Sequence, residues 1–271
     1  MDKIARLVED HFPWGQPGYP PKPADPADRT AEAEKWIAGR LQIRSLDNVA
    51  LALHARIQKI VDEVESTLPA TERPRFFYRS DVSHLVKSPK SVLDKMVREW
   101  KPKDGAPKVG FDDFLEKMDD LVRFRIVLNF LSDVKDVCDK IEEPYKCKAS
   151  ERSRLTPAQQ ALMGEFRLDG NRLRNLIRAL PAERRSAERC RKGVFFLPDS
   201  SVKIEVQIQT MLQEAWDKKD HFLIYERRRR GDRIDEHHSI EIYAMSELLY
   251  VADLTFDRLL DAIRHPRRKK K

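Results

Sequence analysis

The segment 205–225 constrains the fold of this chain more than any other part of the sequence. Residues 205–210 read Glu-Val-Gln-Ile-Gln-Thr and alternate polar and apolar side chains, which is typical of a strand with one buried face. Glu205 and Gln207 then share one face of that strand. Aromatic residues follow at helical spacing, so the pattern predicts a strand that leads straight into a helix. A carboxylate in this position suits a metal ligand or a general base.

A second informative segment is the start of a predicted helix at residues 89–100. Ser88 is a good N-cap, and the proline that follows it suits the first helical position. A helix start offers free N–H groups and a positive dipole end to an anion. Three further polar side chains fall at steps of four on one face and favour a polyphosphate site: Lys87, Ser91 and Lys95. The alternative is a capped surface helix with solvated lysines.

The third segment is an apolar strand at about residues 121–128. Asp119 and Asp120 stand at its entry, and Arg125 lies inside it. A carboxylate at a strand end is a common Mg²⁺ ligand, because Mg²⁺ takes one or two carboxylates together with phosphate oxygens. Alternatively, the two aspartates only end the preceding helix. A guanidinium in an apolar strand needs an anionic partner, and either a phosphate or a carboxylate would serve.

In chain order, the basic helix start, the strand with Asp120 and Arg125, and the Glu205 strand with its helix resemble the synthetase domain of the RelA/SpoT family. The resemblance covers about residues 75–130 and 190–226, with a dissimilar insertion between them. The positions that match the family pattern are Lys87, Ser91, Lys95, Met96, Asp120, Arg125, Glu205, Gln207, Ile208, Thr210, Ala215, Trp216, His221 and Tyr225.

The resemblance implies an ATP-dependent pyrophosphokinase, which moves the β,γ-pyrophosphate of ATP onto a ribose 3′-hydroxyl. It implies that Asp120 and Glu205 bind Mg²⁺ and that Arg125 neutralises the charge of transfer, so these three are the expected catalytic residues. Glu205 is also a candidate base for the acceptor hydroxyl. The remaining expected ligands of ATP, the last two as supporting groups, are Lys87, Ser91, Lys95, Gln207 and His221.

The sequence departs from the family pattern mainly where the family recognises its acceptor. The nearest segment, residues 190–196, lacks the tyrosine and the histidine found there in the family. Leu85 stands where the family has an arginine of the ATP motif, and Arg79 or His84 is the candidate replacement. Smaller departures are Arg123, Gln209, Asp220 and Glu226.

These departures leave the acceptor open. GDP or GTP would give the alarmones ppGpp or pppGpp, and the other candidates are an adenine nucleotide and the 3′ end of a tRNA. Ten arginines between residues 152 and 191 favour RNA, in particular two pairs at helical spacing: Arg174 with Arg178, and Arg185 with Arg189. No hydrolase region is evident, so a toxin-like synthetase with a neutralising protein partner is also plausible. The rival interpretation is a non-catalytic descendant that binds nucleotides or nucleic acid.

Composition narrows the class of protein. The chain has 271 residues, of which 36% are charged, and a formal net charge of +7, which suits a phosphate-rich partner. No apolar stretch is long enough to cross a membrane. Three widely spaced cysteines, Cys138, Cys147 and Cys190, argue against a disulfide framework. Together these features predict a cytoplasmic protein without a membrane partner.

The predicted fold is α+β, with a mixed, nucleotidyltransferase-like sheet of four or five strands flanked by helices. We expect a Pro-rich arm with helices over residues 1–70, a synthetase core over 71–227 and a C-terminal helix with a basic tail over 228–271. The insertion at 150–192 is expected to be mostly helical. Other helices are predicted near 29–41, 46–67, 89–100, 111–117, 133–142, 210–227 and 235–264.

Overall fold

The computed structural model describes residues 3–43, 45–100, 105–177, 188–200 and 202–265. In these ranges, helices make up most of the regular structure. They are α1 (Lys3–His11), α2 (Pro26–Ile43), α3 (Leu46–Ser66), α4 (Pro89–Glu99), α5 (Phe114–Lys117), α6 (Leu131–Lys146), α7 (Pro157–Glu165), α8 (Met211–Asp220), α9 (Glu226–Arg230) and α10 (Glu236–Arg264).

The strands of the described residues form a single sheet. They are β1 (Phe77–Asp81), β2 (Val122–Leu128), β3 (Arg167–Leu168), β4 (Arg174–Asn175), β5 (Arg191–Phe196) and β6 (Lys203–Thr210). The sheet order is β1-β2-β6-β5-β3, and β4 pairs with β5 outside this path. Strand β1 runs antiparallel to β2, with Ser80 opposite Ile126. β2 and β6, the two strands of the predicted functional segments, are therefore neighbours.

The structure confirms the α+β class and the mixed sheet flanked by helices. The sheet is larger than predicted because the insertion at 150–192 is only partly helical. Helix α7 is followed by β3 and β4, and Arg174 pairs with Lys192 of β5. Arg174 therefore lies in a strand, so the prediction that Arg174 belongs to a helix and pairs there with Arg178 is wrong for Arg174. Arg178 and Arg185 lie outside the described residues.

The chain divides into two compact units, and each combines distant parts of the sequence. The first comprises residues 1–54, 82–124 and 194–205. Helices α1, α2 and α4 pack together in it. The Pro-rich arm also packs there, as Trp14 and Tyr19 both contact Phe12, and Tyr19 stacks on Trp36 with ring centroids 4.5 Å apart. The aromatic residues of the arm therefore contribute to a core.

The second unit comprises residues 55–81, 125–193 and 206–271. Its core combines α3 with the second half of β2 and with α6, and Ile57, Ile126 and Val137 are fully buried. Helix α10 packs on α8 and α6. The threefold division predicted from the sequence, at residues 70 and 227, stays a prediction. None of the helices described is long and apolar enough to cross a membrane.

Candidate active site

The segment before α4 is tied to the start of β2, which fixes the position of Lys87. The Lys87 amide donates to the Leu121 carbonyl at 2.9 Å, and the Arg123 amide donates to the Leu85 carbonyl at 2.8 Å. Ser88 then caps α4, as predicted, by accepting a hydrogen bond from the Ser91 amide. These backbone hydrogen bonds thus bring Lys87, at the basic start of α4, next to Asp120 and Leu121, the two residues that precede β2.

Lys87, Lys95 and Asp120 form what we call the lysine–aspartate cluster. Lys87 Nζ lies 3.1 Å from Asp120 Oδ2, and Lys95 Nζ donates to Asp120 Oδ1. All three side chains are largely buried. The predicted helix-face spacing is therefore correct for the two lysines, and the surface-helix alternative with solvated lysines is wrong.

Burial and charge act against each other in this cluster. Burial alone would raise the pKa of the Asp120 carboxyl, but the charges and hydrogen bonds of Lys87 and Lys95 outweigh it and lower that pKa to about 2. Burial lowers the pKa of Lys87, and the charge of Asp120 offsets only part of this effect. Asp120 is therefore ionised at neutral pH, and both of its carboxylate oxygens are engaged by lysines.

Ser91 lies on α4 one turn before Lys95, and its Oγ accepts a hydrogen bond of 3.0 Å from the Ser88 hydroxyl. Its hydroxyl is thus at the helix start, where the sequence placed it. The hydroxyl is within the first turn, so it accompanies the free N–H groups that a helix start offers to an anion.

Glu205 is the third residue of β6 and is buried. Strand β6 is the neighbour of β2 in the sheet. Lys203 Nζ contacts Asp119 Oδ1 at 2.7 Å, which brings the start of β6 next to the residue before Asp120. Both predicted carboxylates thus belong to the same end of two adjacent strands.

The carboxyl groups of Asp120 and Glu205 are the candidate ligands of Mg²⁺. Within the described ranges, no group of three or more His, Cys, Asp or Glu side chains could hold a metal ion by itself. Mg²⁺ does not need such a group, because it keeps waters and is bound by one or two carboxylates plus substrate phosphates. Asp120, which is ionised, and the buried Glu205 on the neighbouring strand supply the number of carboxyl groups that this mode of binding requires.

Arg125 belongs to a second group, which we call the Arg125 network. Its Nε donates to Gln207 Oε1 at 2.8 Å, and its Nη2 lies 2.7 Å from Asp217 Oδ2. Gln207 Nε2 in turn donates to Glu188 Oε1 at 3.0 Å. The anionic partner predicted for Arg125 is therefore a carboxylate. Gln207 orients the guanidinium by a direct hydrogen bond.

His221 opens a single π-helical turn, residues 221–225, between α8 and α9. Its ring lies against Tyr225 with centroids 4.8 Å apart, and its Nε2 is 3.5 Å from Glu226 Oε1. Single π turns inside helices are frequent at functional sites. The departure at Glu226, where the family has a lysine, thus gives His221 an acidic neighbour.

Sequence reasoning missed two anionic partners on α8. Asp217 binds Arg125, and Glu214 binds Arg79 through two hydrogen bonds, one of them at 3.0 Å between Arg79 Nε and Glu214 Oε2. Arg79, a candidate replacement for the missing cation at Leu85, is thus paired with a carboxylate. The available signal was that positions 214 and 217 are three apart and share one helix face.

The predicted arginine stripes are not present in the described part of the insertion. Arg189 is buried, stacks on Tyr250 with its guanidinium carbon 4.3 Å from the ring centroid, and pairs with Glu247. It therefore serves internal packing. Arg191 likewise pairs with the buried Glu142 at 3.0 Å.

Comparison with known proteins gives one family and one fold. A family model described as a region found in RelA / SpoT proteins matches residues 84–230, more than half of the chain. No curated protein matches. Small alarmone synthetase 2 from Bacillus subtilis is 14% identical with a TM-score of 0.51, over 80% of this chain and 98% of that chain. Small alarmone synthetase 1 from Bacillus subtilis, bound to its product pppGpp, is 18% identical with a TM-score of 0.49, over 82% and 100%.

Proposed function

Because this chain belongs to the RelA/SpoT family, we propose that it is an ATP-dependent pyrophosphokinase. A ribose 3′-hydroxyl oxygen attacks the β-phosphorus of ATP, and the bond from that phosphorus to the oxygen bridging to the α-phosphate breaks. AMP leaves, the hydroxyl proton passes to a base, and the acceptor carries the new pyrophosphate. In such transfers a protein mainly positions groups and stabilises charge.

The lysine–aspartate cluster carries this proposal. Two ammonium groups on a buried helix face, beside a capped helix start, suit the phosphates of ATP. Lys87, Ser91 and Lys95 are the proposed phosphate ligands. In the absence of ATP, Asp120 keeps both lysines in place, so the cations are already arranged when the nucleotide binds.

Asp120 and Glu205 are the proposed Mg²⁺ ligands. When bound, the ion would neutralise phosphate charge and fix the orientation of the phosphates. Asp120 contributes an oxygen that stays ionised, since its pKa lies near 2. Glu205 is also the proposed acceptor of the 3′-hydroxyl proton.

Arg125 is the proposed group that offsets the charge which develops during transfer. Its hydrogen bond to Gln207 and its ion pair with Asp217 hold the guanidinium in one orientation. Gln207 is therefore proposed as a positioning residue. His221 is proposed as a supporting group on the helix that follows β6.

For the acceptor, we favour a guanine nucleotide, GDP or GTP, over an RNA end. The RNA hypothesis depended on exposed arginine pairs, and Arg189 is instead buried against Tyr250 and Glu247. A mononucleotide acceptor makes few phosphate contacts that release counterions, so acceptor use should depend only weakly on salt.

The test is to incubate the purified protein with γ-labelled ATP, Mg²⁺ and separate pools of GDP, GTP, AMP, ATP and tRNA. Label should move to the GDP or GTP pool. Asp120→Asn should abolish this transfer, while Asp119→Asn, which changes the exposed neighbour, should retain most of it. Label in the tRNA pool alone would overturn the acceptor assignment, and unchanged transfer by Asp120→Asn would overturn the site.

A second candidate is nucleotide binding without transfer. It is favoured by Leu85 and by the absence of the family tyrosine near residues 190–196, where the chain forms β5 instead. In that case ATP would bind to the lysines with measurable affinity, but no pool would become labelled.

A further inference from the structure

Hydrogen bonds between the segment before α4 and the start of β2 fix which residues face one another there. Val86 pairs with Val122 in an antiparallel bridge. The next residue of β2, Arg123, donates its amide hydrogen to the Leu85 carbonyl at 2.8 Å. This register puts Arg123 directly opposite Leu85. Opposite residues of an antiparallel pair extend from the same face, with Cβ atoms about 5 Å apart.

Arg123 and Lys87 extend to the same side of this backbone pair. Lys87 lies two positions after Leu85 in an extended segment, so the two side chains share a face. The burial of β2 agrees, because Val122 and Phe124 are buried on the opposite face and Arg123 between them is partly exposed. The charges of Arg123 and Lys87 also interact. Burial is the main cause that lowers the pKa of Lys87, and repulsion from Arg123 lowers it further.

In the ranges that the structure describes, no carboxylate pairs with the Arg123 guanidinium. Both oxygens of Asp120 are engaged by the two lysines of the lysine–aspartate cluster, and Asp119 pairs with Lys203 at 2.7 Å. The face around Arg123 thus carries more cationic than anionic side chains. Like charges in a partly buried space repel each other unless an anion lies between them. We therefore expect Arg123 to take its anion from a ligand.

Arg123 also answers which residue replaces the cation expected at position 85. Arg79, the first candidate, is paired with Glu214. His84, the second, is exposed in a turn. Arg123 instead extends from the position opposite residue 85, on the same face as Lys87. A cation at either of these two positions would therefore reach the same space.

We propose that Arg123 is a further phosphate ligand of the donor nucleotide, beside Lys87 and Lys95. A guanidinium presents two parallel N–H groups to a pair of phosphate oxygens, which an ammonium group cannot do. The three cations then share the charge of the triphosphate, and the repulsion between Arg123 and Lys87 is relieved when ATP binds. This role rests on the proposed function, because it belongs to the same ATP site.

The first test is the affinity for ATP by isothermal titration calorimetry, with Mg²⁺ and without an acceptor. Arg123→Ala should weaken ATP binding about tenfold or more, because a charge-assisted bidentate contact is lost. Arg123→Lys keeps the charge without the planar fork, so it should recover only part of that loss. Arg6→Ala is the matched control. It removes the same charge from an exposed position of α1 and should change the affinity little.

Inorganic tripolyphosphate, which has no adenosine, tests whether Arg123 binds the phosphates. Arg123→Ala should weaken the binding of tripolyphosphate by about the same factor as that of ATP. The free energy of unfolding should stay the same or rise, because a like charge beside Lys87 is removed. Unchanged affinity for tripolyphosphate, with or without a loss of stability, would overturn the proposal.

The second test exchanges the two side chains across the backbone pair. Leu85→Arg combined with Arg123→Leu keeps one leucine and one arginine at opposite positions of the same face. This double variant should recover most of the ATP affinity that Arg123→Leu alone loses. A double variant that unfolds at the wild-type temperature, but binds ATP no better than Arg123→Leu, would show that the two positions do not share a site.

The role of Arg123 and the proposed function fail in different ways. ATP binding that depends on Arg123, without label in any acceptor pool, would contradict pyrophosphate transfer and keep Arg123 as a phosphate ligand. Equal ATP affinity of the wild type and Arg123→Ala, together with transfer by both, would overturn only the role of Arg123. A wild-type chain that does not bind ATP would overturn both.

Discussion

At the scale of single residues, the most informative side chain is Asp120, because its carboxylate binds the ammonium groups of Lys87 and Lys95. Two carboxylates that face one site repel each other, and on that ground alone the removal of one would stabilise the fold. The ion pairs reverse that expectation. Without Asp120, Lys87 would lose the carboxylate it pairs with and Lys95 would keep only the longer contact of 3.8 Å with Glu99, which is costly for largely buried ammonium groups.

Asp120→Asn should therefore lower the free energy of unfolding by about 2 kcal/mol at pH 7. The pKa of the folded carboxyl is about 2 and its ordinary value is 3.8, so its contribution to stability is present above pH 4 and is lost as the pH falls towards 2. Denaturant unfolding of wild type and variant between pH 7 and pH 2.5 measures this difference. A difference that grows as the pH falls would contradict the ion-pair account.

Lys95→Ala should raise the KM for ATP or lower kcat, with a combined loss in kcat/KM of about tenfold or more, because a phosphate-directed cation is removed. Lys90→Ala is the matched control. Lys90 is one turn away on the same helix but exposed, so its removal should change kcat/KM little. Equal effects of the two substitutions would mean that α4 attracts ATP only by its overall charge.

The two lysines of the lysine–aspartate cluster were predictable because steps of four place Lys87 and Lys95 on one side of the helix start. The partner of Arg125 was predictable only as a chemical class. The whole insertion separates Asp217 from Arg125 in the sequence, and no local pattern specifies which carboxylate a buried guanidinium meets. A motif thus identifies which residues matter, while tertiary packing decides what each of them contacts.

At the scale of elements, Thr210 lies at the junction of β6, α8 and α10. Its hydroxyl caps α8 by accepting from the Gln213 amide and donates to Asp253 of α10 at 2.6 Å. One side chain therefore ends the strand, starts the next helix and fixes the C-terminal helix. The orientation of α8, which carries Asp217 and precedes His221, depends on this junction.

Asp253→Asn should stabilise the protein at pH 8 by about 1 to 3 kcal/mol. Burial raises the pKa of Asp253 to about 6, against the lowering effect of its two hydrogen bonds. With a raised pKa, the carboxyl contributes stability below pH 4 that is lost as the pH rises through 6. An asparagine oxygen can still accept both hydrogen bonds and carries no buried charge.

Thermal unfolding of wild type and Asp253→Asn at pH 8 and pH 5 checks this prediction. The gain in stability of the variant should be smaller at pH 5. Asp261→Asn makes the same chemical change at an exposed position of α10 and should shift the unfolding temperature little at either pH. A pH-independent gain in Asp253→Asn would contradict a titrating buried carboxylate.

Most elements follow from periodicity, since the helix predicted at 235–264 is observed as α10 and that at 89–100 as α4. The structure of the insertion at 150–192 did not follow from periodicity. Its charged side chains suggested helix, but β3 and β4 are two-residue strands that exist only because the sheet offers an edge to pair with. Strands this short have no periodicity of their own to detect.

At the scale of the whole molecule, the predicted set of four or five strands flanked by helices was sufficient to assign the α+β class. Contacts between distant segments were not predictable. Arg79 and Glu214 are 135 positions apart, and their ion pair joins β1 to α8. The exposure of large apolar side chains on α10, such as Leu248 and Ile263, was also missed, because a helical pattern shows which residues share a face and not which face is buried.

The central claim is that the chain transfers pyrophosphate. The most direct test is to identify which adenine nucleotide, AMP or ADP, remains when ATP is consumed. Quantify AMP and ADP by chromatography while the wild-type chain consumes ATP with GDP or GTP present. Pyrophosphate transfer predicts one AMP for each modified acceptor, no accumulation of ADP, and loss of both products in Glu205→Gln. ADP in place of AMP, or AMP formed without a modified acceptor, would contradict the account.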